Sequence, residues 1–303
     1  MFAPPASDAS ILIVGAGPSG LDCAVTLARR GYQVTLADAA TEFGGRLRFE
    51  RRLPGLSAWG RVVDWRLGQL RERPNVNLYP GSSLGAEDIL GLEHRHVVVA
   101  TGARWTRMLF STLEFPVGEL AGPTVYTPDD IAAGIVPEGP VVVFDFDNYY
   151  LAGAIAEQLA GQSGGVTYVT TAGNASAWTF MTNELPLVHR ALTKAGVPIH
   201  TLKRVTAFDG ESVSIADVYT GAESHLPCRS LVLVGIRRPN DDLYHALAAR
   251  PTDLDKAGIA TVTRIGDCHA PGAIVHAVHS GHRYAREFES PRGDVLYTRD
   301  FPV

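Results

Sequence analysis

The chain has 303 residues and a formal net charge of −5, and its composition is that of an ordinary globular protein long enough for two domains. The sequence has no run of Lys and Arg that would neutralise a long stretch of phosphates, which argues against a nucleic-acid-binding protein. Three isolated cysteines, Cys23, Cys228 and Cys268, form no C-x-x-C pair. This spacing argues against a thiol redox centre and a cysteine-ligated cluster, and we interpret them as reduced core residues of a cytoplasmic protein without a signal peptide or membrane span.

The first predicted element lies in residues 11–20, where four apolar residues run into the sequence Gly-Ala-Gly-Pro-Ser-Gly. The apolar run predicts a buried parallel strand, and the G-x-G-x-x-G spacing predicts a turn into a helix. Gly15 would allow the tight turn, Gly17 the approach of a pyrophosphate to bare backbone, and Gly20 the close packing of helix on strand.

The residues that follow favour a nucleotide site over a glycine turn with no ligand, which is the alternative. Apolar spacing predicts a helix over residues 21–30, Gly31 ends it, and residues 32–37 predict a second strand. Asp38 closes that strand, where a carboxylate can accept hydrogen bonds from the hydroxyls of a ribose. The helix N-terminus would face the phosphates. We therefore expect a site for an adenine dinucleotide or for ADP.

The middle of the chain adds further elements to this domain. A glycine pair at Gly44 and Gly45 predicts a flexible loop, residues 59–73 an amphipathic helix, and residues 76–79 a short strand. A strong strand over residues 97–103 breaks at Thr101-Gly102. Since cofactors lie across the carboxyl ends of such strands, we expect this turn to contact the nucleotide.

A second β-α-β unit begins at Val141–Phe144, but non-glycine residues fill its fingerprint. Asp145, Asp147 and Tyr150 occupy the three glycine positions. An aspartate there places a side chain and a negative charge where a pyrophosphate needs bare backbone. The strand that follows, over residues 166–169, ends without an acid for a ribose or an arginine for a 2′-phosphate. We expect this domain to keep a nicotinamide-nucleotide fold and to have lost the ligand.

The remaining segments return the chain to the first domain. Residues 205–208 and 212–215 predict a small antiparallel sheet, and residues 231–234 a buried strand. Asp267 precedes a helix predicted over residues 272–288 and could accept hydrogen bonds from a ribityl or ribose hydroxyl. His276, His279 and His282 share a helix face, which suggests a metal site, but a packed or surface row is the favoured interpretation because no acid or cysteine converges on them.

The predicted fold is α/β, with two Rossmann-like domains of the glutathione-reductase type, the second inserted in the first. We assign residues 1–120 and 236–303 to an FAD- or ADP-binding domain and residues 121–235 to the inserted NAD(P)-like domain.

A resemblance to flavoproteins with two dinucleotide-binding domains rests on the first fingerprint, the Gly44-Gly45 loop, Ala100–Gly102, Gly235–Asn240 and Gly266-Asp267. A narrower resemblance, over nearly the whole chain, is to the carboxy-terminal half of the trimethylamine, dimethylamine and histamine dehydrogenases, with 2,4-dienoyl-CoA reductase as a more distant relative. It rests on Gly44–Leu47, Leu53–Trp59, Ala100–Trp105 and Ile265–Pro271. In such flavoproteins the loop with the glycine pair closes over the pyrophosphate.

This resemblance implies a nucleotide site and a missing catalytic part. The residues that we expect to bind FAD or ADP are Gly15, Gly17, Pro18, Ser19, Gly20, Asp38, Ala39, Gly44, Gly45, Arg46, Leu47, Ala100, Thr101, Gly102, Gly266 and Asp267. In the family, an amino-terminal TIM barrel with FMN and a 4Fe-4S cluster performs the substrate chemistry. We therefore expect no catalytic residue here, and a chain that is either a subunit pairing with a barrel chain or a fragment of a longer polypeptide.

Three functions remain open from the sequence. The favoured one is a nucleotide-binding subunit or half of an amine dehydrogenase or N-demethylase, acting in electron transfer or assembly in a hetero-oligomer, with an electron-transfer protein as a further partner. A self-contained NAD(P)H-dependent FAD reductase conflicts with Asp145, Asp147 and Tyr150. The third is a scaffold without catalysis that binds ADP. The sequence does not separate FAD from ADP, because the adenosine halves are the same.

Overall fold

The structure is a computed structural model that describes residues 4–110 and 116–290. Its contacts divide the chain into two compact units. The first unit holds the described residues up to Phe43, residues 64–101, and the residues from Asp241 onward. The second unit holds residues 44–63 and 102–240, so it is inserted in the first. The unit boundaries place residues 44–63 and 102–120 with the second unit. The functional division into residues 1–120 with 236–303 and 121–235 stays a prediction.

The described residues form strands and helices in the following order. The strands are β1 (Ser10–Val14), β2 (Gln33–Asp38), β3 (Val76–Pro80), β4 (His96–Val99), β5 (Ala103–Trp105), β6 (Met108–Phe110), β7 (Pro116–Glu119), β8 (Val125–Tyr126), β9 (Val141–Asp145), β10 (Val166–Thr170), β11 (Ile199–His200), β12 (Lys203–Phe208), β13 (Ser212–Asp217), β14 (Glu223–Pro227), β15 (Ser230–Val234), β16 (Arg237–Pro239) and β17 (Thr261–Arg264). The helices are α1 (Pro18–Arg30), α2 (Leu47–Glu50), α3 (Gly60–Arg71), α4 (Ala86–Leu90), α5 (Pro128–Ala132), α6 (Tyr150–Ala160), α7 (Leu185–Lys194), α8 (Asp242–Ala248), α9 (Pro251–Lys256) and α10 (Ile274–Glu287).

The first unit is built on a parallel sheet with the strand order β17-β4-β1-β2-β3. Ile11, Leu12 and Ile13 of β1 are fully buried, as expected for a central strand covered on both faces. Because the strands are parallel, their carboxyl ends meet at one edge. That edge carries Gly15, Asp38 and Ala100.

Two long helices of the first unit, α1 and α10, pack closely. A Cβ at Gly281 of α10 would lie 2.1 Å from the Ser19 carbonyl oxygen of α1, so only glycine permits this approach. The buried guanidinium of Arg30 donates hydrogen bonds to the carbonyls of Ala285 (2.6 Å) and Phe288 (2.8 Å). It thereby satisfies carbonyl groups at the end of α10, which the helix itself leaves unpaired.

The second unit has a parallel sheet with the order β11-β10-β9-β15-β8 and an antiparallel sheet of β12, β13 and β14. Strands β5 and β16 form an antiparallel pair, as do β6 and β7. The core of this unit includes the buried side chains of Val142, Phe144, Val213 and Leu231. The two parallel sheets confirm the predicted fold class, and the antiparallel excursion is confirmed as well.

Candidate functional site

The turn between β1 and α1 has room for glycine only. Gly15 has a φ of +107°, and a Cβ there would lie 2.3 Å from the Ala100 carbonyl oxygen. A Cβ on Gly20 would lie 1.9 Å from the Gly15 carbonyl oxygen. Both obstacles are backbone atoms that cannot rotate away. The first and third glycines therefore set how closely α1 approaches β1.

The N-terminus of α1 opens directly from this turn. Gly17 is its N-cap residue and Pro18 its first residue. Within residues 4–110 and 116–290, no side chain caps this helix, and the buried Oγ of Ser19 has no hydrogen-bond partner. Free N–H groups and the helix dipole make such a terminus electropositive. An unpaired buried hydroxyl beside it is a further hydrogen-bond donor.

Asp38 lies at the carboxyl end of β2, next to the same turn. One oxygen of its carboxylate accepts a hydrogen bond from the Ala16 N–H (2.6 Å), and the other accepts one from the Ala40 N–H (2.8 Å). These bonds fix the orientation of the carboxylate. An ionised carboxylate has about four acceptor positions, so two positions remain for hydroxyl donors. Ala39, between these residues, is exposed.

Residues from the end of the chain meet the N-terminal part of α1. Gly266 has a φ of +62°, and a Cβ there would lie 2.5 Å from the Cβ of Ser19. The Gly266 N–H donates to the Oγ of Ser280 (2.9 Å). The adjacent Asp267 is buried and accepts a hydrogen bond from the Gly272 N–H at 3.0 Å. The first unit thus brings the residue pair Gly266-Asp267 to the helix terminus.

The turn after β4 is part of the same edge. The Ala100 N–H donates to the carbonyl of Val14 at 2.7 Å. The Thr101 hydroxyl donates to the Sγ of Cys268 at 3.2 Å. Burial raises the pKa of the Cys268 thiol. It is therefore a thiol packing partner of Thr101, and sequence reasoning assigned it only to the core.

The other predicted site residues belong to the second unit. Gly44 and Gly45 have φ values of +130° and +55°, and the Leu47 N–H donates to the Gly44 carbonyl. Leu47 is fully buried, and the guanidinium of Arg46 lies 3.5 Å from a carboxylate oxygen of Glu50. Gly102 has a φ of +77° and its carbonyl accepts from the Asn240 N–H. A role for these five predicted residues in nucleotide binding stays a prediction.

The corresponding turn of the second unit, after β9, satisfies its own backbone. The N–H groups of Phe146 and Asp147 both donate to the Val234 carbonyl, at 2.8 and 3.0 Å. The Asn148 N–H donates to a carboxylate oxygen of Asp145 at 2.8 Å. A phosphate would have to displace these acceptors. These three N–H groups of the turn therefore already have acceptors within the protein.

Buried polar contacts reinforce this turn. The Asp145 carboxylate also accepts from the Tyr168 hydroxyl, which in turn accepts from the Ser176 N–H at 3.0 Å. Burial raises the pKa of Asp145 to about 7 and that of Tyr168 well above its usual value. Burial also raises the pKa of Asp147, while the nearby guanidiniums of Arg237 and Arg46 oppose that rise.

Tyr150, at the third glycine position, is also paired. Its hydroxyl donates to the buried carboxylate of Glu50 at 2.6 Å, and its ring stacks on Trp59 with centroids 5.9 Å apart. Sequence reasoning predicted that Tyr150 would exclude a dinucleotide and missed its partners. No sequence signal links Tyr150 to Glu50, because the two lie 100 positions apart.

The structure offers little to a metal ion. His276 and His279 are exposed, and the Nδ1 of His282 lies 3.1 Å from a carboxylate oxygen of Asp22. In the described part of the chain, no group of three or more His, Cys, Asp or Glu residues could hold a metal ion. All three cysteines are buried free thiols, which confirms their assignment to the core. Over the same residues, no helix is long and apolar enough to cross a membrane.

Comparison with known proteins agrees with this geometry. Residues 13–77 match the family model described as an NAD(P)-binding Rossmann-like domain. Dimethylamine dehydrogenase of Hyphomicrobium sp. (strain x) is 33% identical over 99% of this chain and 44% of its own length.

Two solved structures are also similar. Histamine dehydrogenase from Rhizobium sp. 4-9 is 43% identical with a TM-score of 0.92, over 98% of this chain and 46% of its own. The 6-hydroxypseudooxynicotine amine oxidase of Pseudomonas geniculata N1 is 44% identical with a TM-score of 0.90, over 95% of this chain and 43% of its own. The chain spans less than half the length of these three relatives. Its homologues are amine-oxidising flavoprotein oxidoreductases, and the chain belongs to the dimethylamine and histamine dehydrogenase family.

Proposed function

We propose that the first unit binds the adenosine diphosphate part of a nucleotide, as free ADP or as that half of FAD. The observation that carries this proposal is the N-terminus of α1. It opens from a turn in which a Cβ on Gly15 or Gly20 would overlap backbone, and it holds a buried, unpartnered hydroxyl on Ser19. A pyrophosphate would supply acceptors for that hydroxyl and for the free N–H groups.

The residues at this edge fit the rest of that moiety. The Asp38 carboxylate is fixed by two backbone N–H groups and keeps acceptor positions for the two hydroxyls of a ribose. Gly266 and Asp267 lie beside Ser19. FAD at this site would supply two-electron redox chemistry, whereas ADP would supply none.

We further propose that the second unit binds no NAD(P)H. The turn after β9 satisfies its N–H groups with the Val234 carbonyl and the Asp145 carboxylate. The pyrophosphate of a dinucleotide would also meet the side chains of Asp145 and Asp147, at positions where a dinucleotide site has glycine. These contacts argue against a self-contained NAD(P)H-dependent FAD reductase, since the chain would lack a hydride donor.

At the level of the whole protein, we propose a nucleotide-binding component of an amine dehydrogenase or N-demethylase-like flavoprotein. The support is the family membership together with the share of the relatives' length, under half, that this chain spans. A barrel part with FMN and a 4Fe-4S cluster would perform the substrate chemistry. The present chain would then contribute to electron transfer, or, with ADP bound, to assembly alone.

The experiment is to purify the chain alone and co-expressed with a barrel partner, denature each sample, and identify the released nucleotide by chromatography and absorption spectrum. We expect an adenine nucleotide, and FAD would mark a redox-active module while ADP would mark a structural one. Gly17→Asp should abolish its retention, because a carboxylate would stand at the pyrophosphate position. Gly68→Asp is the matched control, since Gly68 is an exposed glycine of α3 with nothing within 4 Å of its Cβ position. Equal nucleotide content in the two variants would contradict the site.

A further inference from the structure

The residue that replaces the third glycine of the second fingerprint has two partners in one short stretch of chain. The hydroxyl of Tyr150 donates to an oxygen of Glu50 at 2.6 Å, and its ring stacks on Trp59 at an interplanar angle of 27°. Tyr150 and Glu50 are 7% and 1% exposed, respectively. One side chain of α6 therefore holds both the middle and the end of residues 44–59, here called the 44–59 segment.

The 44–59 segment has little structure that could persist without such contacts. Its helix α2 has four residues, and a single 3₁₀ turn, Ser57–Trp59, follows. Helices this short do not form in isolation, because nucleation fixes several residues for one hydrogen bond. Leu47 and Leu53 bury their side chains, and the Tyr150 contacts add a polar anchor to this apolar one.

The anchor extends to the glycine turn at the start of the segment. The guanidinium of Arg46 lies 3.5 Å from the second oxygen of the Glu50 carboxylate. Arg46 also lies near Asp147, the residue at the second glycine position. Two of the residues that replace glycines thus face the segment that begins with Gly44 and Gly45.

We propose that Tyr150 is a positioning residue, whose hydroxyl acts through Glu50 to fix the 44–59 segment and with it the Gly44-Gly45-Arg46-Leu47 turn. Residues at the glycine positions of the second fingerprint would then hold a neighbouring segment of the same unit in place.

The physical reason is the cost of an unpaired buried carboxylate. Without the Tyr150 hydroxyl, the Glu50 oxygen that it contacts would stay buried without that donor. Such a group gains by moving to water, and it can reach water only if the segment opens. Burial and the adjacent Glu50 charge raise the Tyr150 pKa, so the phenol keeps its proton and remains a donor at neutral pH.

The test is hydrogen–deuterium exchange of the intact chain, or of its complex if the chain needs a partner, in Tyr150→Phe and Tyr149→Phe variants. Tyr150→Phe deletes the hydroxyl and keeps the ring on Trp59. We expect amides of the 44–59 segment to exchange about tenfold faster, as for loss of one hydrogen bond to a charged group. Tyr149→Phe is the matched control, because that side chain is only half-buried, and it should leave the segment unchanged.

A second variant separates the hydrogen bond from a general loss of packing. Glu50→Gln removes the buried charge and keeps an acceptor for Tyr150. If the two residues act as a pair, exchange in the Tyr150→Phe/Glu50→Gln double variant rises by less than the product of the two single effects. Multiplying effects, or equal acceleration of peptides throughout the second unit, would overturn the anchoring claim.

Discussion

Gly20→Ala tests most sharply how the first unit forms its nucleotide turn. The added Cβ would lie 1.9 Å from the Gly15 carbonyl oxygen and 3.1 Å from its carbonyl carbon. These are backbone atoms, so α1 must move away from β1 by more than 1 Å. Such overpacking costs about 1–3 kcal/mol and sometimes more, while alanine gains about 1 kcal/mol over glycine in a helix. Because a 1.9 Å approach to backbone is a severe overlap, the cost lies at the upper end of this range, and we expect a net destabilisation of about 2 kcal/mol and loss of nucleotide retention.

The assay is urea unfolding of Gly20→Ala beside Gly68→Ala, a matched change in another helix of the chain. A Cβ on Gly68 meets nothing within 4 Å, so that variant should gain about 0.5–1 kcal/mol from helix propensity alone. The two substitutions should therefore shift the urea midpoint in opposite directions. Equal midpoints for the two variants, or a more stable Gly20→Ala that retains nucleotide, would refute the close packing of α1 on the turn.

Three further changes test other parts of the account. Burial raises the Asp145 pKa from 3.8 to about 7, so the folded state holds a proton that the unfolded chain releases, and stability falls as pH rises from about 4 to about 7. Asp145→Asn should remove this pH dependence, which amounts to roughly 4 kcal/mol. The difference between the urea midpoints of variant and wild type should therefore change across that pH range, and parallel curves would contradict the prediction. Asp38→Ala should weaken ADP binding about 10- to 100-fold in calorimetry, because ribose hydroxyls lose a charged acceptor; an unchanged dissociation constant would exclude Asp38 from the site. Arg30→Met should cost about 2–4 kcal/mol in urea unfolding, since it leaves the Ala285 and Phe288 carbonyls without their donor, and a change within 0.5 kcal/mol would rule out that role.

Local sequence patterns predicted most strands of the two parallel sheets but missed β8, β11 and β17. The run before Gly15 and the run Val141–Phe144 are apolar enough to name buried strands without tertiary information, and both form central strands. The glycine spacing likewise predicted the turn into α1, because the steric demands on Gly15 and Gly20 arise within one β-α unit and the strand beside it.

Helix α7 was not predicted from the sequence. Its sequence starts with Leu-Pro-Leu-Val, yet among its described residues only Leu192 is buried, while Leu187 is about half exposed. Leu185, Val188 and Leu192 nevertheless recur at helical spacing, so the apolar periodicity that is the main signal for helices was present and was missed.

The partners of the candidate site residues were also beyond sequence reasoning. Ser19 meets Gly266, and Tyr150 meets Glu50, only after strands distant in sequence have paired. Motif spacing therefore predicted that Asp145, Asp147 and Tyr150 would oppose a dinucleotide. It carried no information on the hydrogen bonds that these residues make instead.

The measurement that tests the central claim most directly is the number and kind of nucleotides held by one chain. Nucleotide released on denaturation is counted per mole of protein, and the purified chain is titrated with NADPH by fluorescence. We expect one adenine nucleotide, ADP or FAD, per chain and no NADPH binding, since the first unit has a glycine turn before its helix terminus, whereas Asp145, Asp147 and Tyr150 fill the glycine positions of the second unit. Absence of any nucleotide from a folded chain that also fails to bind added ADP, or saturable binding of NADPH, would contradict it.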